Sequence, residues 1–159
     1  MKKLKIYLDT SVLKFYYADD APDKKNDTII LFEEIEAGKY EAFISDAVLA
    51  EINRADDRKK ELLIKLINRF ELDLAASDGI DELADIYVAS GIIPEKYRDD
   101  AVHLAYATLC GMDIILSWNF KHIVKRKTIQ MVNLVNSIEG YKNIDIYSPS
   151  EVIENDEDL

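Results

Sequence analysis

Three short apolar runs constrain this chain most: Leu4–Leu8 (LKIYL), residues 41–45 (EAFIS) and residues 113–117 (DIILS). Each is too short to be a helix and is bounded by polar residues, so each reads as a buried strand. Between them the apolar residues change to helical spacing. Ile29, Ile30, Leu31, Phe32 and Ile35 predict a helix over 28–37 that stops before Gly38. Leu62, Leu63, Leu66, Ile67 and Phe70 predict another over 58–70, and residues 80–88 a third. The segment 96–110 (KYRDDAVHLAYATLC) reads as a helix closed by Gly111, and residues following FKHIV as a further one. Weaker strands are expected at 72–75 and 144–147, with Pro149 opening a last short helix. Thr10 and Ser11 are expected to cap the first helix and Asp46 a later one, with 19–27 a polar connection. Such alternation specifies an α/β fold, three layers α/β/α around a central, mostly parallel sheet. No repeat or linker interrupts it. Residues 1–153 read as a single domain and 154–159 as an acidic, disordered tail.

Charge narrows the function. The formal net charge is −11, and five of those negative charges lie on Glu151, Glu154, Asp156, Glu157 and Asp158. A surface of that sign repels a phosphate backbone, which argues against a simple nucleic-acid binding module. It argues less against a metal-dependent nuclease, because bound divalent cations reverse the local field. No apolar stretch is long enough to span a membrane. The opening MKKLKIYLDT begins like a signal peptide, but Asp9 cuts its apolar run short, and the chain is read as cytoplasmic. Cys110 is the only cysteine, so there is no internal disulfide and no CxxC zinc motif.

In parallel α/β folds, ligands bind beyond the carboxyl ends of the strands. The polar residues found there are Asp9 after the first strand, Asp46 after the second with Glu51 in the helix that follows, and Asn119 after DIILS. Asp99 and Asp100 open the helix leading into that strand. Asp46 suits a helix N-terminus, and Asp99 and Asp100 favour a helix dipole in a first turn. Asp9 is harder to explain so, because a carboxylate at the end of a buried strand loses solvation and needs a partner. Together these oxygens suit Mg²⁺ or Mn²⁺ better than a soft metal.

Four pieces in this order resemble the PIN domain family, the fold of many toxin nucleases of bacterial and archaeal toxin–antitoxin pairs (VapC-like). YLDTSVL resembles the first motif with Asp9 as its acid, and SDAVLAEI the second with Glu51. RDDAVHLAYA resembles the third with Asp100, and DIILSWNF the fourth with Asn119 where many members carry aspartate. The resemblance implies a metal-dependent endoribonuclease hydrolysing RNA phosphodiesters. Asp9, Asp100 and, directly or through water, Glu51 would hold Mg²⁺ or Mn²⁺, with Asn119 completing the site. It also implies a cognate antitoxin as partner and a homodimer, for which the apolar helix near Leu62–Phe70 offers a surface. The alternative is a non-catalytic PIN-like binding or regulatory module, which the net charge and Asn119 favour.

Supporting roles are open at this level. Thr10 and Ser11 either cap a helix or orient Asp9, Asp99 supplies nearby charge, and Ser117 ends the strand before Asn119. His103 reads as a satisfied, partly buried histidine, and His122 either touches substrate or lies on the surface. Trp118 either packs on a helix or stacks on a base. Lys121, Lys125, Arg126 and Lys127 either solvate a helix face or meet RNA phosphates.

Overall fold

The computed structural model describes residues 2–154. Five strands, β1 (Leu4–Leu8), β2 (Tyr40–Ser45), β3 (Asp73–Ala75), β4 (Ile114–Leu116) and β5 (Asp145–Tyr147), form one sheet in the order β3-β2-β1-β4-β5. Every pairing is parallel, so the expected α/β fold has an all-parallel sheet flanked by helices. Strand β1 lies at its centre, and Ile6, Tyr7 and Leu8 are fully buried. That is what a parallel strand covered by helices on both faces requires. No described helix is long and apolar enough to cross a membrane.

Tyr7 pairs with Phe43, and Leu8 with Leu116. The chain runs outward from β1 through β2 to β3, then returns to the other side of β1 for β4 and β5. The order therefore reverses between β1 and β4, where a crevice opens at the carboxyl edge of such sheets. Leu8, Ser45, Ala75, Leu116 and Tyr147 all end their strands at that edge.

The helices are α1 (Thr10–Phe15), α2 (Pro22–Glu36), α3 (Asp46–Asn53), α4 (Asp57–Arg69), α5 (Ile80–Ala89), α6 (Arg98–Leu109), α7 (Arg126–Glu139) and α8 (Pro149–Val152). Helix α6 matters most for the site. It turns Ala101, Leu104, Ala105 and Ala107 inward, all fully buried. Small residues allow close approach, and burying Leu104 contributes roughly 1.5–3 kcal/mol. Its first turns are thereby pressed against the strand ends.

Several boundaries differ from expectation. Helix α2 begins at Pro22 instead of Thr28, because proline suits a first turn, so most of the expected polar connection is helical. Asp9, not Thr10 or Ser11, caps α1, its side chain accepting from the Val12 N–H. Ser45 occupies the N-cap of α3 and Asp46 is already helical, so Asp46 is not the expected cap. A 3-10 turn, Glu95–Tyr97, precedes α6. Glu154, placed in the tail by the sequence, donates its N–H to Glu34 at 2.9 Å and pairs with Lys39 at 3.2 Å. The remainder of the expected tail, 155–159, lies outside the described residues.

Candidate active site

Asp9 sits where β1 gives way to α1 and is 4% exposed. Ser11 Oγ donates to its Oδ1 and Ser117 Oγ to its Oδ2, each at 2.5 Å. Ser11 Oγ also accepts the Trp118 N–H at 2.9 Å, and Ser117 Oγ accepts the Asn119 N–H at 2.9 Å. The start of α1 and the end of β4 are thus stitched together through one carboxylate. Burial raises the Asp9 pKa, against the opposing pull of His103 and the serine hydrogen bonds. An acid kept this dry is costly when ionised and gains from a nearby cation.

His103, on α6, lies behind Asp9 and is buried. Its Nε2 is 2.6 Å from Glu51 Oε1, and its Nδ1 is 2.7 Å from the Tyr7 hydroxyl. Tyr7 is in turn 2.7 Å from Ser45 Oγ. The chain Ser45–Tyr7–His103–Glu51 links two strand ends to α6 and α3. Burial alone would lower the His103 pKa, but the Glu51 hydrogen bond and the charges of Asp9, Glu51 and Asp100 raise it. Burial would raise Glu51, yet its hydrogen bond to His103 and that ring's charge hold it below the ordinary carboxylate range. The three acids thus favour the protonated form of His103 against its burial.

Asp100 faces the crevice from the first turn of α6. Its Oδ2 is 3.0 Å from His122 Nδ1, and burial raises its pKa despite that contact. The His122 ring packs tilted against Tyr97 at 4.2 Å between centroids, and its backbone N–H donates to Asn119 Oδ1 at 3.0 Å. The carbonyl of Asn119 is thus already engaged by the backbone, and Asn119 is half-buried.

Three expectations need correction. Asp99 points away from the crevice and reaches Arg54 at 3.4 Å on the surface. It adds nothing to the acid group. Trp118 is buried, its indole N–H donating to Thr28 Oγ1 at 2.9 Å while Phe15 packs against it. No base can stack on it, and the exposed ring beside Asn119 is Phe120. His122 is buried against Asp100 and Tyr97, so its ring does not face solvent as an RNA contact would. Lys121 is exposed, its Nζ over Tyr97 at 5.6 Å, and Lys125 is half-buried at the N-cap of α7. Thr10 Oγ1 is buried with no hydrogen-bond partner, although the hydroxyl lies close enough to Glu51 to favour its ionised form.

The oxygens of Asp9, Glu51 and Asp100 and the unpartnered Thr10 hydroxyl suit a hard divalent cation in kind. Their arrangement is less complete. Among the described residues no three His, Cys, Asp or Glu side chains converge to hold a metal ion. Glu51 is instead engaged by His103, and Asp100 by His122. Metal ligation would need at least one carboxylate to turn from its histidine.

Sequence reasoning missed Tyr7 and Ser45. The available signal was their position at the carboxyl ends of adjacent strands. It also missed that His103, three residues beyond Asp100, bonds Glu51.

The chain superposes on the structure of VapBC2 from Rickettsia felis, solved bound to a DNA fragment from their promoter. The TM-score is 0.55 over 91% of this chain and 98% of that one, at 16% identity. At that identity the likeness is one of fold. No family model matches the sequence, and no curated protein matches it.

Proposed function

We propose that this chain is a metal-dependent endoribonuclease of the PIN type, hydrolysing RNA phosphodiesters as the toxin of a toxin–antitoxin pair in the cytoplasm. One observation carries the reading: Asp9 follows β1, Glu51 lies in the helix after β2 and bonds His103 of α6, and Asp100 stands in the first turn of that same α6, at the carboxyl edge of the sheet. That is where the strand order reverses. Asp9 and Asp100, with Glu51 directly or through water, would hold Mg²⁺ or Mn²⁺. Such an ion lowers the pKa of a bound water and screens the charge of the phosphate. The chain supplies the rest. Ser11 and Ser117 fix the two oxygens of Asp9, His103 holds Glu51, and His122 orients Asp100. Thr10, buried beside Glu51, favours that acid's ionised form.

The antitoxin is proposed from the neighbouring fold, which belongs to the VapBC2 structure. A groove of about 220 Å³ between α1 and α4 is its candidate seat, with an apolar floor of Phe15, Tyr17, Leu62 and Leu63 and a charged rim of Lys14, Asp20 and Lys59. A homodimer through α4, where Ile64 is exposed, remains part of the proposal.

A second reading, a non-catalytic PIN-like module, draws on Asn119, whose carbonyl accepts from His122. Calorimetric titration of Mn²⁺ into wild type and Asp100→Asn separates the two. Saturable binding weakened by the substitution, with metal-dependent RNA cleavage that EDTA abolishes, supports the nuclease. Binding indifferent to Asp100, or no cleavage of any RNA, favours the module.

A further inference from the structure

Ser45 holds the N-cap position of α3, yet its side chain caps nothing. A serine there ordinarily accepts a backbone N–H of the first turn and steadies the helix start. This hydroxyl, fully buried, is instead 2.7 Å from the Tyr7 hydroxyl. Tyr7 is fully buried too, two residues before Asp9 in the central strand, and 2.7 Å from His103 Nδ1. Its ring stacks on Tyr106 of α6, 6.2 Å between centroids and 9° between planes. A phenylalanine would fill that space with no hydroxyl to desolvate. A helix cap is thus given up, and a phenol buried, to start a chain of hydrogen bonds.

That chain closes on the helix where it begins. His103 Nε2 is 2.6 Å from Glu51 Oε1, and Glu51 lies on α3, the helix that Ser45 opens. Helix α3 is therefore gripped at its N-cap and again in its second turn. A hydroxyl both donates and accepts, which keeps Nε2–H on Glu51 whatever the His103 ring carries. With a neutral ring, the Ser45 O–H donates to Tyr7, the Tyr7 O–H to Nδ1, and Nε2–H to Glu51. With a protonated ring, Nδ1–H donates to Tyr7, whose O–H turns to Ser45, and Nε2–H still donates to Glu51. The bond made by one ring nitrogen sets what the other carries. Phenylalanine would offer Nδ1 neither role.

We propose that Tyr7 is a positioning residue of the acid site: with Ser45 it fixes the His103 ring, and through that ring the direction of the Glu51 carboxylate. This rests on the ribonuclease reading, in which Glu51 reaches the metal directly or through water. Asp9 is already tied by two serines and Asp100 by His122. Glu51 has a longer side chain than either, with more rotamers to choose among, and so depends more on an external hold. Hydrogen-bond partners of this kind orient a ligating group, and losing one costs about 10–100-fold in affinity or activity. A hydroxyl serving the core alone would change stability and leave turnover by the folded protein as it was.

The test compares wild type with Tyr7→Phe, which keeps the ring and removes the hydroxyl, and with Ser45→Ala. One readout is steady-state cleavage of a labelled RNA in Mn²⁺. The other is the ¹H–¹⁵N imidazole spectrum in EDTA, which holds signals from only two histidines. In Tyr7→Phe, kcat should fall at least about tenfold, with KM changed less than about twofold. The Nε2–H resonance of His103, on the Glu51 side of the ring, should move while that of His122 stays. Ser45→Ala, one bond further out, should show the same changes at smaller size. Wild-type kcat in Tyr7→Phe, whether or not its melting temperature drops, overturns the positioning role and leaves the nuclease standing. Wild type that cleaves no RNA sinks the ribonuclease reading, and the spectrum then decides for Tyr7 alone. A moved Nε2–H keeps Tyr7 as the residue that sets the Glu51 contact, and an unmoved one overturns it. Should Tyr7→Phe fail to fold, Ser45→Ala carries the decision by the same two readouts.

Discussion

The two flanks of Asp9 are built on opposite rules. Towards β2, the polar side chains partner one another: Ser45, Tyr7, His103 and Glu51 form one chain of hydrogen bonds. Towards β5, the rings of Phe120 and Tyr147 are exposed, and Lys125 and Arg126 have no carboxylate among the described residues. The first flank is finished without help from outside. The second leaves two large rings facing solvent. A single acid at the boundary can then be held rigidly from one side and approached from the other. Preorganisation belongs on the closed flank, because a catalytic group displaced by an ångström loses much of its effect. Adaptability belongs on the open one.

The comparison breaks most sharply at His103. His103→Ala leaves Glu51 charged and Tyr7 without one of its partners in a dry space, and should cost about 3–5 kcal/mol in urea unfolding. Phe120→Ala, on the open flank, should cost less than about 1 kcal/mol. Similar costs would mean the two flanks do not differ in kind. The histidine also has a pH signature. A raised His103 pKa gives stability complete below the ordinary histidine value of 6.5 and lost as pH rises through the raised value. A lowered Glu51 gives stability present above the ordinary 4.5 and lost as pH falls through its lowered value. Stability should therefore fall on the alkaline side in wild type, and His103→Gln should flatten that limb.

Next in size is the metal. Asp100→Asn should weaken Mn²⁺ binding at least about tenfold, or ~1.4 kcal/mol, whereas Asp99→Asn, one residue away on the surface, should change it less than about twofold. Burial raises both Asp9 and Asp100, so protons compete with the ion, and affinity should drop between about pH 8 and about pH 5. Equal affinity at both would rule out carboxylate ligation. Smaller again, Asp9→Asn should raise the metal-free Tm by about 2–4 °C, the shift that ~1 kcal/mol makes in a domain of this size. A lower Tm would make Asp9 a structural residue that the two serines need as an anion. Smallest, Arg54→Ala should move stability by less than about 0.5 kcal/mol, because its pair with Asp99 is exposed.

What could be read from the sequence followed the chain's local patterns. LKIYL, EAFIS and DIILS are strands because short apolar runs have few other uses, and Asp9, Glu51 and Asp100 followed from the strand ends and the motif resemblance. Helix α6 was legible from its spacing. What escaped depends on contacts between distant segments. Whether Trp118 faces solvent is decided by Thr28 and Phe15, and whether Asp99 or Asp100 faces the crevice by the packing of three alanines. That His103 bonds Glu51, 52 positions away, follows from α3 and α6 converging. The start of α2 was missed for a local reason: Lys24, Lys25, Asn26 and Asp27 look like a loop, yet they form the solvated first turns of a helix opened by Pro22.

The bonds around Asp9 also impose an order of events during synthesis. Ser117 lies 108 residues beyond Asp9, and the Trp118 N–H 107 beyond Ser11. A nascent chain that has emerged only as far as α5 contains Asp9 and Glu51 but neither Asp100 nor the strand that closes the crevice. Contacts of such sequence separation form late, after the loops between them have been ordered. A nascent chain that lacks β4 would therefore hold Asp9 without the Ser117 hydroxyl that bonds it. Asp9, Glu51 and Asp100 are brought to one edge only when the sheet is completed.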